Sequence, residues 1–287
     1  MLLGKSVYHV NQGPGALYSK NRVEGYYNDL TEKVTRFGLA DATVPKTTID
    51  TGETLYFPIA IFQYGIGAYD LYLQSQDRKY LDKAIACAEW AVENQQEDGS
   101  WVTFAFEDPA HPYSSMAQAE AISLLIRINI TTNDSKYLSA AANAKNFMLK
   151  PLKDGGTTEY VGDDVYLYEY TNQPLILNGW IFSIWGLYDY WKHTGETEVK
   201  HIMDRTINAL INRLDDYDAG YWSKYDMGER LCSPFYHQLH ISQLKVLYDL
   251  FGDETFLQTA QKWEAYQKSF WKRKKAFVIK ALQKIKE

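Results

Sequence analysis

Four segments of this chain lie over one another by eye. They read DRKYLDKAIACAEW from Asp77, DSKYLSAAANAKNF from Asp134, GETEVKHIMDRTIN from Gly195 and GDETFLQTAQKWEA from Gly252, with starts 57–61 residues apart. Each opens on Asp or on Gly followed by an acid, where a helix start needs an acceptor for its free N–H groups. Each follows a second apolar-periodic stretch, so the repeating unit is a pair of helices. One pair cannot bury its apolar face alone, and stacked pairs make a toroid or an open solenoid. The connections favour the toroid. Those within pairs are short (SQD, TND, TG), whereas Asp98–Tyr113, Lys150–Gln173 and Asp215–His237 are long and aromatic. Such one-sided elaboration marks the working mouth of an array. The expectation is an all-α (α/α) toroid or incomplete barrel of about four helix pairs, preceded by a short irregular or β N-terminal region.

Composition narrows the classes. The chain has 287 residues, 46% of them hydrophobic, which is enough for a large core. Gly and Pro interrupt residues 1–55, residues 56–270 carry the repeats, and 271–287 form a basic tail. The net charge of -6 excludes general nucleic-acid binding. The last eighteen residues, FWKRKKAFVIKALQKIKE, carry about +6 and leave about -12 elsewhere. Apolar residues stand opposite the lysines there, as in a packed final helix or one held at an anionic membrane face. Two cysteines, Cys87 and Cys232, are too few for a disulfide framework. MLLGKSVYHVNQGPG has no apolar leader core, and no run of 18 apolar residues follows. The expected location is cytoplasmic, at the membrane face or free, and periplasmic or secreted if a leader was trimmed. A homodimer is compatible with this reading.

The stretch Tyr217–His240, YDAGYWSKYDMGERLCSPFYHQLH, holds tyrosines, histidines, acids and a lone Arg230 but few aliphatic residues. Together with FPIAIFQYG (57–65), YSSMAQAEAISLLIR (113–127), YEY (168–170) and LNGWIFSIWGLYDY (177–190) it resembles the C-terminal helical domain of D-glucuronyl C5-epimerases. The family shows QYG, SSMAQ, EY, LNG, YD and YHxxH in the same order. Its larger N-terminal β-domain has no counterpart here beyond the short N-terminal region, where Tyr26 and Tyr27 are candidates for part of a wall. The resemblance implies conversion of D-glucuronic to L-iduronic acid residues in an anionic uronate polysaccharide, without a cofactor or a metal. It points to Tyr225 and Tyr236 as catalytic, with Glu169 and Tyr170 from the EY pair and Tyr168 competing for the adjacent place. Gln63, Tyr64, Ser115, Gln118, Asn178, Arg230, His237 and His240 are then the substrate-binding candidates. Arg230 stands two residues beyond the family's Arg.

The chemistry fits these residue types. Losing the C5 proton leaves a carbanion conjugated with the carboxylate, whose charge needs donors or cations. The proton leaves one face and returns on the other, so two acid/base groups are needed within ~2.6–3.2 Å of the positions they serve. Tyrosine, with a reference pKa of ~10, serves once a nearby Arg or protonated His lowers it. Arg230 pairs bidentately with a carboxylate. Bland roles stand beside these: Ser114 as a helix cap, Asn178 in packing beside Gly179, and His237 and His240 (i, i+3) as core, tyrosine support or metal ligands. Competing functions are a uronate lyase, a toroidal glycoside hydrolase using carboxyls such as Glu107, Asp108, Glu169 and Asp226, and a non-catalytic glycan-binding helical repeat.

Overall fold

A computed structural model describes residues 12–36, 43–49 and 51–286. Residues 1–11, read above for a leader, and the glycines Gly4 and Gly38 among those that interrupt residues 1–55 lie outside them. A one-turn helix α1 (Glu32–Thr35) is followed by a minimal antiparallel pair, β1 (Thr47–Thr48) and β2 (Thr54–Leu55). Four helix pairs come next: α2 (Pro58–Ser75) and α3 (Arg78–Asn94), α4 (Ser115–Thr132) and α5 (Ser135–Met148), α6 (Leu177–Thr194) and α7 (Thr197–Arg213), α8 (Pro234–Phe251) and α9 (Glu254–Lys268). The final helix is α10 (Phe270–Lys286). This is the expected toroid-type array. Inner helices α2, α4, α6 and α8 stand side by side in that order, each backed by its outer partner.

The sequence separates the two layers. Helix α3 buries only Leu81, Ala84, Cys87, Ala88 and Ala91, one stripe at helical spacing. Helix α4 buries every residue from Ser115 to Asn129, and α6 every residue from Leu177 to Tyr190. Helices wrapped by neighbours on all sides need small residues at their closest approach. At Gly186 of α6 a Cβ would lie 2.6 Å from Cα of Ala119 on α4, so that crossing tolerates only glycine. Asp77, Asp134 and Asp253 accept the caps of α3, α5 and α9 from Lys79, Lys136 and Thr255 N–H, as their places in the repeat foretold. Glu196 occupies the same position before α7 without a side-chain cap bond, its carboxylate pairing with Lys145 instead.

Two boundaries differ from the sequence expectation. Helix α8 starts at Pro234, because Ser233 caps it through Tyr236 N–H and Pro fits the first turn. Tyr236 and His237 are therefore helical rather than part of the third long connection. The second connection contains an unforeseen hairpin, β3 (Thr158–Val161) paired with β4 (Asp164–Leu167), turned at Gly162. Arg205 of α7 holds that turn through the carbonyls of Gly162 and Asp163, both at 2.8 Å.

Residues 18–34 thread the ring itself. Tyr18 and Lys20 meet Asp249 near the end of α8, at 3.0 and 2.6 Å. Arg127 on α4 is fully buried; it donates to the carbonyls of Glu24, Gly25 and Ser123 and pairs with Asp189 on α6 at 2.6 Å. Tyr27 Oη gives a 2.7 Å bond to the other Asp189 oxygen, and Tyr26 N–H reaches Asp70 on α2 at 3.0 Å. Leu30 packs against Gly67, half-way up α2. Tyr26 and Tyr27 therefore plug the ring: their rings pack on Trp185 of α6, and Tyr26 also meets Phe182 there and lies beside Ser123 and Glu120 of α4.

Candidate functional site

The three long connections meet at the N-terminal ends of the inner helices. Tyr170 stacks on Phe104 with ring centroids 3.8 Å apart, and Asn172 donates to Asp108 at 2.6 Å, joining the first connection to the second. Arg230 donates to Gln173 at 3.0 Å, joining the second to the third. Backbone bonds from Leu177 N–H to the Tyr225 carbonyl (3.2 Å) and from Met227 N–H to the Leu175 carbonyl (3.0 Å) fasten the third connection to the start of α6.

Tyr225 and Tyr236 come together here. Their rings meet edge to face at 4.8 Å, both half-buried, and Tyr225 donates a hydrogen bond to the Tyr236 phenol. Burial, then the nearby Glu169, drives both phenol pKa values upward. Tyr170 is shifted the same way, by burial, Glu169 and Glu107. The expectation that an Arg or a protonated His lowers these phenols is not met. The Arg230 guanidinium lies 5.2 Å from the Tyr225 ring centre, but its Nε is bonded to the buried Asp226 carboxylate. The histidines face elsewhere.

Glu169 sits under the tyrosines, against α6. A Cβ at Gly179 would run into its carboxylate, so Gly179 makes the space that holds it. Burial raises the Glu169 pKa to about 8; Arg230 opposes the shift and Glu107 adds to it. The Glu169 Oε2 atom has no protein partner. Further along the same inner wall, Gln63 donates to Glu120 Oε1 at 2.7 Å, while Glu120 Oε2 is unpartnered. Both ends of the Gln118 amide, Asn178 Oδ1 and Gln243 Oε1 are also buried without partners. A buried amide normally finds its bonds. The unfilled ones here run across α4, α6 and α8, and Tyr26 Oη, Ser123 Oγ and His240 Nε2 elsewhere in the core are unfilled too.

The structure divides the substrate-binding candidates. Gln63, Gln118, Asn178 and Arg230 belong to this wall or its rim. Ser115 bonds Ser183 on α6 at 2.8 Å and is spent on helix packing, while Ser114 caps α4. Tyr64 turns towards α3, where Lys83 lies 5.8 Å from its ring centre. Tyr168 donates to Glu159 of the hairpin at 2.8 Å, leaving the place beside Glu169 to Tyr170.

His237 and His240 point at the outer helix α9. His237 bonds Ser223 Oγ at 2.7 Å and the Trp263 carbonyl at 3.1 Å, and stacks on Trp222 at 3.6 Å. His240 lies beside Cys232 Sγ at 3.5 Å. Burial lowers the histidine pKa values to about 4 and about 3, so both are neutral core imidazoles near neutral pH. Glu120 and Gln243 escaped the sequence reading. Each lies on a helix whose partner motif, SSMAQ or YHxxH, drew the attention, and only the inner-helix phase could have flagged them.

The model of the D-glucuronyl C5-epimerase C-terminus matches residues 108–265. A D-glucuronyl C5-epimerase of Caenorhabditis elegans is 30% identical over 210 residues, covering 63% of this chain and 34% of that protein. This chain thus spans about a third of that relative. An uncharacterized protein of Methanocaldococcus jannaschii is 26% identical over 279 residues, covering 86% of this chain and 89% of its own length. Among solved structures, an endoglucanase from Komagataeibacter sucrofermentans superposes with a TM-score of 0.50 at 12% identity, covering 77% of this chain and 71% of the other, a likeness of fold.

Proposed function

Because this chain belongs to the D-glucuronyl C5-epimerase C-terminal family, we propose that its site inverts C5 of D-glucuronic acid residues in an anionic polysaccharide, giving L-iduronic acid. The observation that carries this reading is the meeting of Tyr225 and Tyr236, 4.8 Å apart, above a buried Glu169 whose pKa is about 8.

The pKa order assigns the roles. A general base works best with a pKa near the working pH. Glu169 fits that demand, and the phenols, pushed above their usual value, stay protonated and are the proton donors at hand. The tyrosines were expected to flank C5 from both faces. Bonded to each other, they leave no width between them for a ring carbon and act instead as one flank. The Glu169 carboxylate takes the C5 proton on one side. The phenol pair delivers a proton on the other. The proton left on Glu169 then returns to the phenolate, restoring the resting state. Arg230 keeps N–H donors beyond those given to Asp226 and Gln173, and these face the charge that grows on the uronate carboxylate. Gln118 and Asn178 donate to or accept from sugar hydroxyls along the wall.

The test is NMR of uronate polymers incubated with the protein in D₂O. Deuterium at C5 without a new reducing end is expected. An unsaturated 4,5-uronate product establishes a lyase instead, and a new reducing end alone a hydrolase. Tyr225→Phe and Tyr236→Phe each lower C5 exchange by ~10²–10⁴-fold with the fold intact. Full exchange in either variant removes that residue from the mechanism.

A further inference from the structure

Helix α10 lies wholly outside the segment matched by the family model. One face of it is anchored. Gln283 accepts from Leu231 N–H at 3.0 Å and donates to the Glu229 carbonyl at 2.6 Å, so it clips the connection that carries Tyr225. Ala276 is buried on this face, and Lys272 reaches the Gly220 carbonyl at 3.3 Å.

The other face is bare. Trp271, Val278, Leu282 and Ile285 are 79%, 53%, 55% and 81% exposed. Their spacings of seven, four and three residues put them on a single stripe at helical period. Lys274 and Lys275 border that stripe, and the helix holds seven Lys and Arg with no acid, against a body of about -12. Scattered exposed apolar residues are ordinary, but a continuous stripe marks a contact surface.

We propose that α10 lies in the plane of an anionic lipid surface, its Trp271–Ile285 stripe sunk below the headgroups and its lysines among them. A tryptophan at one end and long flexible lysines, with Lys274 exposed at the stripe's edge, suit the boundary between headgroup and chain. Charge decides between occupants. A second copy placed stripe to stripe would bring two sets of seven cations together. An acidic glycan would meet the lysines but leave the stripe wet. No helix among the described residues is long and apolar enough to cross a membrane, so α10 lies on the surface and does not span it. Through Gln283, this posture holds the Tyr225 connection within about one helix diameter, ~10–12 Å, of the lipid.

Co-sedimentation of the full chain with vesicles tests this. Binding is expected to phosphatidylcholine vesicles containing phosphatidylglycerol, weakening with added salt, and not to phosphatidylcholine alone. The double variant Leu282→Gln/Ile285→Gln and the single variant Lys274→Glu each reduce partitioning about tenfold, with circular dichroism and C5 exchange on soluble oligosaccharide unchanged. Failure to sediment with either vesicle overturns the proposal, as does binding indifferent to anionic lipid or to both variants. A dimer in lipid-free solution that Leu282→Gln/Ile285→Gln dissociates assigns the stripe to a second copy. Weakened uronate-polymer binding by that variant, with vesicle binding intact, assigns it to the glycan. Either result overturns the lipid assignment.

Discussion

The two ends of the same ring treat buried polarity in opposite ways. At the C-terminal ends of the inner helices the charged cluster is answered, although Tyr26 Oη, Asn28 Oδ1 and Ser123 Oγ beside it are not. Arg127 places its donors on Asp189 and three carbonyls, Asp189 also receives Tyr27, and Asp70 receives Tyr26 N–H. At the N-terminal ends Gln118, Glu120, Glu169 and Asn178, with Gln243 half-way along α8, keep buried atoms with no partner. Both ends are equally enclosed by helices, so burial alone does not separate structural polarity from working polarity. Saturation does. A satisfied network fixes one packing, and an unsatisfied one stores capacity for a ligand.

The hardest way to break the comparison is to strip the closed end. Arg127→Met leaves Asp189 a buried charge with one phenol for company, and the expected loss of unfolding free energy in urea is about 3–5 kcal/mol. That is a large share of what a domain has to spend. A loss under ~1 kcal/mol, within the range of exposed ion pairs, would show that the plug is not what holds the inner helices together.

At the open end the matching change is Glu169→Gln, and it strikes rate rather than fold. C5 exchange falls by ~10²–10⁴-fold as the base is lost. In the wild type, exchange rises with pH and levels off above about 8 as Glu169 ionises. Stability runs the other way. A carboxyl raised from its usual range to about 8 contributes most below its unfolded pKa, and that contribution disappears as pH rises through about 8. Glu169→Gln should therefore gain stability relative to wild type as pH rises across that window, in urea titrations at several pH values. A pH-independent difference would mean that Glu169 is not held protonated.

How much of this was legible in the sequence follows from range. The helix pairs were read from local spacing, and Asp77, Asp134 and Asp253 announced their caps within two residues. The family motifs brought Tyr225, Glu169, Gln118 and Asn178 to one end. The pair Arg127–Asp189 was not legible: a charge within an apolar helical run reads as a snorkelling surface residue, and its partner lies 62 positions away. The histidines misled for a related reason. YHxxH fixes a shared face but not which neighbour that face meets, and in this fold it meets Trp263 of the outer layer.

Those histidines sharpen the comparison at smaller scale. His237 is satisfied at both ring nitrogens, whereas His240 Nε2 has no partner. With pKa values lowered to about 4 and about 3, both contribute stability that is present above the unfolded value of ~6.5 and lost as pH falls through the folded values. His240→Leu removes a titrating group without breaking the Ser223–His237–Trp263 chain. Thermal melts should show it losing less stability on acidification than wild type. Equal acid sensitivity would place the charging step elsewhere.

The smallest effect expected is also the one that separates the two ends most cleanly. Gln118 is fully buried, and neither end of its amide has a partner, so the folded protein bears its desolvation with no bond in return. Replacing it with a nearly isosteric apolar side chain, Gln118→Leu, should raise stability by about 1 kcal/mol, because an unsatisfied buried polar group costs on the order of 1–3 kcal/mol. The same change removes a sugar contact, so KM for uronate oligomers should rise while kcat on saturating substrate stays close to wild type. A substitution that stabilises the fold and weakens binding is the signature of a residue held for its ligand. If Gln118→Leu instead destabilises the chain and leaves KM unmoved, Gln118 is bonded in solution by groups of the protein itself, and the contrast between the closed end and the open one loses its sharpest member.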